Sequence, residues 1–309
     1  MAHYKQYTIL YALLLCTHAT VVGYGLPGLA LGYTNILDGG PIRPRPGIYW
    51  QQWMQYYTTQ RFLNNEGKPL GGLPSPRFRD WEIATEFVYQ FEKRMGLRGA
   101  MPGVVAAIPV VLYSKIEKNG LGIESSGSGF GNLDLGAYLQ FPVTELKGRP
   151  FYVHRLEFDF SIPVGKNKLP EKQINPSNTF FYCSLDWSAT LYLSWKWSIS
   201  WSLHYVWSAK NEKIDFQAGD AIYCNYSLAY ELYPKLYIAA VGYALGQLHN
   251  NRSLGVSVPD SKTRVFGTGP GIAYFFSEDI VFLSYLYLEN GARNSTEGTN
   301  FIARLVMHF

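Results

Sequence analysis

Charge is scarce in this chain, and the scarcity sets the first constraint. Asp, Glu, Lys and Arg make up 16% of its 309 residues, against about 25% in an ordinary soluble domain. The net charge of +4 is small and scattered, so no nucleic-acid partner is expected. Cysteine is nearly absent: of the 3 residues, Cys16 falls in an N-terminal leader. Cys183 and Cys224 remain as isolated thiols with no CxxC and no His at ligand spacing. Beyond the N-terminus there is no run of ~18 apolar residues, which excludes a helical membrane protein. The histidines (His3, His18, His154, His204, His249 and His308) form no HxH, HExxH or Cys/His cluster, so no metal or cofactor is expected. The glycines of 119–131 are followed by no helix and no Gly-Lys-Ser/Thr ending, so they do not make a phosphate loop.

Aromatics are what the chain has instead: Tyr, Phe and Trp reach 16%. Their arrangement is most legible in Trp197–Ser208, where Trp197, Ile199, Trp201, Leu203, Tyr205 and Trp207 alternate with Ser198, Ser200, Ser202, His204, Val206 and Ser208. Strand side chains alternate between faces, so this stretch has one wide aromatic face and one small, mostly polar face. Three tryptophans on one short strand would crowd a soluble core. The pattern predicts a membrane β-barrel strand, with aromatics toward lipid and serines toward the lumen.

Twelve such segments are expected, at 47–63, 80–93, 104–117, 130–144, 150–163, 179–194, 196–209, 216–232, 235–247, 263–276, 280–290 and 299–309. Most exceed the ~9–11 residues a tilted strand needs to cross a bilayer. The connections alternate between long polar loops, such as 64–79 and 164–178, and tight turns, such as Lys147–Arg149 and Ser277–Asp279. That alternation matches extracellular loops and periplasmic turns. The fold class expected is therefore all-β, a transmembrane antiparallel up-and-down barrel of about 12 strands in the bacterial outer membrane. Pro109 and Pro270 interrupt two segments and are expected to kink the wall. Phe301, Leu305, Met307 and the terminal Phe309 form an amphipathic last strand of the kind by which barrel-assembly machinery takes up outer-membrane proteins.

Three regions are expected. Residues 1–25 read as a secretory signal, with Lys5, an apolar Thr8–Cys16 and cleavage after Ala19 or Gly25. Residues 26–45, rich in Gly and Pro, read as a periplasmic tail or a plug entering the lumen, and 46–309 as the barrel. Face assignment sends Glu82, Glu86, Arg155, Glu157, Asp159, Asp186, His204, Glu231 and Arg304 into the lumen. There they either line a solute path or knit an ion and hydrogen-bond network that fills a barrel wider than side chains alone can fill. Arg155 among Glu157, Asp159 and Asp186 is the expected centre. An outer-membrane phospholipase would need its Ser and His on the lipid-facing surface, whereas His204 points inward.

The sequence resembles the outer-membrane barrel family named after the meta-pathway of phenol degradation. The resemblance rests on Pro46-Gly-Ile-Tyr49, Tyr56-Tyr57, Leu63–Gly67, Gly129-Phe-Gly-Asn132, Phe158–Pro163 with Gly165, Arg264–Pro270 and the last strand. Asn132 stands where a Gly-x-Gly-Asp pattern is expected. The resemblance implies transport of small hydrophobic or aromatic solutes. The expectation is a non-enzymatic channel working by passive diffusion among outer-membrane lipids. The alternatives are a closed structural or surface-interaction barrel and, in third place, an outer-membrane phospholipase.

Overall fold

Period-two alternation can bury one face and offer the other to lipid only if every backbone group is paired, which in a membrane requires a closed ring. A computed structural model of the protein, describing residues 29–70, 76–117, 123–168, 172–177 and 180–309, has that ring. The signal segment lies outside the described residues. The barrel strands are β1 Gly47–Leu63, β2 Phe78–Gln90, β3 Met101–Ile116, β4 Leu133–Gln140, β5 Arg149–Ile162 and β6 Tyr182–Tyr192. They continue with β7 Trp197–Ser208, β8 Ala221–Tyr233, β9 Leu236–Gln247, β10 Arg264–Phe275, β11 Ile280–Arg293 and β12 Ser295–His308. Each pairs antiparallel with its neighbours in sequence, and β1 closes the ring on β12, from Tyr49 opposite His308 to Leu63 opposite Ser295.

The two faces separate as alternation requires. On β7 the odd residues Trp197, Leu203, Tyr205 and Trp207 are exposed toward lipid, while Ser198, Ser200, Ser202, His204 and Ser208 are buried. Phe87, Tyr89, Phe158, Leu185 and Leu228 continue the apolar belt around the wall. Trp187 and Trp201 meet edge-on at 5.5 Å between centroids on that outer surface. Periplasmic turns are tight where the backbone allows it. Lys147 and Gly148 both adopt positive φ, at 51° and 73°, so two residues suffice to join the short Thr144–Leu146 strand to β5.

Residues 29–40 run inside the barrel. The inward polar groups of several strands are their anchors. Asn225 on β8 accepts from the Gly32 N–H at 2.8 Å and donates to the Ala30 carbonyl and the Thr34 hydroxyl, both at 3.2 Å. Ser227 donates to the Asn35 carbonyl at 2.9 Å. Ser200 accepts from the Leu37 N–H at 3.1 Å and Thr190 from the Gly39 N–H at 2.9 Å. Tyr287 donates to the Gly32 carbonyl at 2.9 Å and accepts from the Asn35 amide at 2.6 Å. The segment lies so close to the wall at Gly39 that a Cβ there would meet the Thr190 nitrogen and the Val153 carbonyl oxygen at 2.4 Å. At the periplasmic rim Arg45 pairs with Asp279 and donates to the Glu278 carbonyl at 3.1 Å. Asp279, in the turn before β11, is held below the usual carboxylate range by its hydrogen bond to His308 and then by Arg45.

The plug is therefore fastened by many single hydrogen bonds, each worth about 0.5–1.5 kcal/mol net. Asn225 makes three of them. Asn225→Leu should weaken the seating by roughly 1–3 kcal/mol. Hydrogen exchange of the Gly32 amide should speed up accordingly, while amides of the β7–β8 ladder keep their protection. Equal Gly32 exchange in the two proteins would show that Asn225 does not hold the plug.

Candidate functional site: a charged cavity above the plug

The lumen is not filled evenly. On the β9–β12 side Tyr243, Tyr285 and Tyr287 are essentially inaccessible and pack with Ile36 of the plug and Val241. Glu289 is tied there by Tyr57 and Tyr243, each donating at 2.7 Å, and by the Gly298 N–H at 2.8 Å. That half is sealed. On the opposite side a cavity of about 350 Å³ is left, with Leu29, Ala30, Tyr33 and Thr34 of the plug on its boundary.

Eight of the nine lumen residues expected from the sequence line this cavity: Glu82, Glu86, Arg155, Glu157, Asp159, Asp186, His204 and Arg304. Adjacent strands bring the charged ones together through register. Glu157 lies opposite Asp186 across β5–β6, and Asp186 lies opposite His204 across β6–β7. Arg155 pairs with Glu157 at 3.0 Å, and its guanidinium lies 5.3 Å from the Tyr138 ring centroid. Arg304 donates to Gln51 at 2.7 Å and stacks over Trp53 at 4.1 Å. Gln51 in turn donates to Glu86 at 2.8 Å. Glu231 stands apart. A register shift between Glu231 and Tyr233 ends the alternation of β8, and Glu231 accepts from the Lys235 N–H at 3.3 Å in the periplasmic turn.

The two prolines differ. Pro270 faces outward within β10, and the pairings on either side of it, Thr268 with Leu288 and Gly271 with Tyr285, keep one register. Pro109 lines the cavity, and the wall changes there. β3 pairs with β4 up to Ala107 opposite Asp134, then with the separate strand Gly129–Phe130 at Val110 and Val111, offset by one residue. Gly131, between the two stretches, donates its N–H to the Pro109 carbonyl at 2.8 Å. On β12, Phe301 faces outward, Leu305 and Met307 share its side of the strand, and Phe309 ends exposed while bonding Ile48 through its backbone.

His204 sits in a chain of close polar contacts with the composition of a hydrolase triad. Its Nδ1 lies 2.6 Å from Asp186, its Nε2 lies 2.8 Å from the Ser202 hydroxyl, and Ser202 meets Ser188 at 2.6 Å. Tyr223 stacks flat on the imidazole, with centroids 4.1 Å apart. The surroundings do not suit acyl transfer. Ser202 is paired on both sides, with Ser188 and Asn225, so the strand backbone around it is engaged in ladders rather than offering the convergent N–H groups of an oxyanion hole. The group also faces the lumen, not lipid.

Several residues that shape the cavity were not singled out in the sequence as site residues. Trp53 and Tyr33, with centroids 5.1 Å apart, wall it on one side. Alternation along β1 and β11 places Trp53 and Glu289 inward and was available as a signal. Tyr33 had none, since its position depends on where the plug lies.

A closed antiparallel barrel with an apolar aromatic belt and a polar lumen is the construction of a bacterial outer-membrane protein, and this chain is one. It belongs to the family named for the MetA-pathway of phenol degradation, whose profile matches residues 59–305. No curated protein matches the chain. Among solved structures it is similar to an outer membrane channel from Pseudomonas putida F1, with TM-score 0.75 and 14% identity over 86% of this chain and 97% of that one. It is also similar to a FadL homologue of Pseudomonas aeruginosa, with TM-score 0.40 and 9% identity over 94% and 97% of the two chains. An outer membrane phospholipase dimer of Salmonella typhi with bound calcium gives TM-score 0.42 and 11% identity over 88% and 95%.

Proposed function

We propose that the protein is a non-enzymatic outer-membrane channel through which small hydrophobic or aromatic molecules diffuse passively. The observation that carries this reading is the cavity itself. At about 350 Å³ it lies within the ~300–1,000 Å³ range of small-molecule sites, and Trp53, Tyr33, Tyr182 and Tyr223 give it aromatic walls. A solute entering from outside would rest there above the plug. It would leave either past a displaced plug or sideways through the wall beside Pro109, where Phe160 and Leu135 also border the cavity. Family membership and the likeness to the Pseudomonas putida channel support the reading at the level of fold.

The rival is a closed structural barrel. It is favoured by one specific observation, the tyrosine-packed β9–β12 half of the lumen. Swelling of proteoliposomes separates the two. Under the channel reading, small phenolic glycosides, which do not cross lipid unaided, should swell vesicles containing the folded barrel and leave protein-free vesicles unchanged. Barrel-containing vesicles that exclude both these solutes and simple sugars would decide for the closed barrel.

A further inference from the structure

The charges around the cavity do not balance. Six carboxylates line it (Glu82, Glu86, Asp134, Glu157, Asp159 and Asp186) against two guanidinium groups, those of Arg155 and Arg304. The basic side chains are also already engaged. Arg155 is taken by Glu157, His204 by Asp186, and Arg304 by the Gln51 oxygen and the Trp53 face. Among the described residues, Glu82, Glu86, Asp134 and Asp159 have no cation at ion-pair distance. Glu82 has only a marginal contact, the Tyr33 hydroxyl at 3.5 Å, and Asp134 Oδ1 is buried with no hydrogen-bond partner.

A second observation is independent of these carboxylates. Tyr223 is 4% exposed and its ring is fixed by stacking on His204. It lines the cavity, and its hydroxyl has no hydrogen-bond partner among the described residues. A tyrosine hydroxyl fixed at the cavity wall without a protein partner is free to bond a polar group of whatever enters. The aromatic faces beside it favour a flat apolar body, and aromatic rings also attract cations.

On these grounds, and resting on the channel reading above, we propose that the preferred solutes of this cavity are small aromatic cations: an aryl group carrying an ammonium. The positive head supplies the cation that these four carboxyl groups lack, and the ring lies along the aromatic walls of the cavity. An aromatic anion of the same size finds no uncommitted cation there and is repelled by the carboxyl groups that are ionised. Such repulsion in a constricted polar path of low dielectric is how pores select by sign.

Reversal potentials under a salt gradient across planar bilayers containing the full barrel test this. The probe is benzyltrimethylammonium benzenesulfonate, whose two ions are aromatic and permanently charged, so neither crosses as a neutral form. Under a gradient of this salt the reversal potential should take the sign of cation preference. It should move toward zero in Glu82→Gln, Glu86→Gln and Asp134→Asn, each checked for folding by heat-modifiable migration. Single substitutions at three sites guard against one variant that fails to fold. Current with no preference for the cation, or with a reversal potential unmoved by all three variants, overturns this inference and leaves the channel standing. An absence of current with either ion overturns this inference, and swelling with the neutral phenolic glycosides then decides whether the channel reading falls with it.

Discussion

Deleting residues 29–41 should raise the single-channel conductance of the barrel several-fold and leave the barrel folded. The plug crosses a lumen that would otherwise be open, because a ring of twelve strands is wider than the eight-stranded case that side chains just fill. With the plug in place, a cavity of about 350 Å³ bordered by Leu29, Ala30, Tyr33 and Thr34 is left in the lumen. The wall does not depend on the plug for its own bonding. Each strand is laddered to both neighbours, and the anchors Asn225, Ser227, Ser200 and Thr190 are polar groups that water can satisfy once the segment is gone. Gly39→Val should act in the same direction without a deletion. Its side chain would run into backbone atoms of Thr190 and Val153 that cannot move without breaking the ladder. Planar-bilayer recordings check both proteins. Conductance equal to the parent in both would mean that the plug is not what restricts the lumen.

The second large effect is on stability. Asp186→Ala should destabilise the barrel by about 3–5 kcal/mol, because it removes one partner of a buried pair and strands the other. Both side chains are 9% exposed and lie 2.6 Å apart, so solvent screens the pair little. The loss also releases Ser184, which donates to Asp186 at 3.2 Å. Asp186→Asn keeps an acceptor for the imidazole and should cost only about 1 kcal/mol. In the double variant Asp186→Ala/His204→Ala the costs should be far from additive, since the two residues share one interaction. Guanidinium unfolding in micelles, followed by the tryptophan fluorescence of Trp187 and Trp201 on the same strands, measures all of this. If Asp186→Ala unfolds at the parent midpoint, the pair is not a structural element of the lumen.

Asp186 and His204 also mark how far local sequence reaches. That both point inward follows from position alone: Asp186 alternates with Leu185 and Trp187, and His204 with Leu203 and Tyr205. That they meet follows from strand register, which places Asp186 opposite His204 and Glu157 opposite Asp186. Register is set by turn length and by the packing of whole faces, and no single strand states it. Glu231 illustrates the converse. Its position implied the lumen, yet a bulge near the turn took it to the periplasmic rim.

The sequence by itself determined the barrel. A two-residue period over twelve segments, with aromatics on one face and small polar groups on the other, has one stable solution in a bilayer, because every backbone group must find a partner and one face must meet lipid. It also placed eight of the nine candidate lumen side chains, all but Glu231. Only the tertiary structure decided how the lumen is divided. The Gly- and Pro-rich segment before β1 carries no periodic pattern, and its conformation is held by Asn225, Tyr287, Ser200 and Thr190, which lie 151 to 255 residues away in the chain. Such contacts have no local signature, because they form only once the ring has closed around the segment. They turn a polar lumen into one sealed half and one acidic, aromatic-walled cavity.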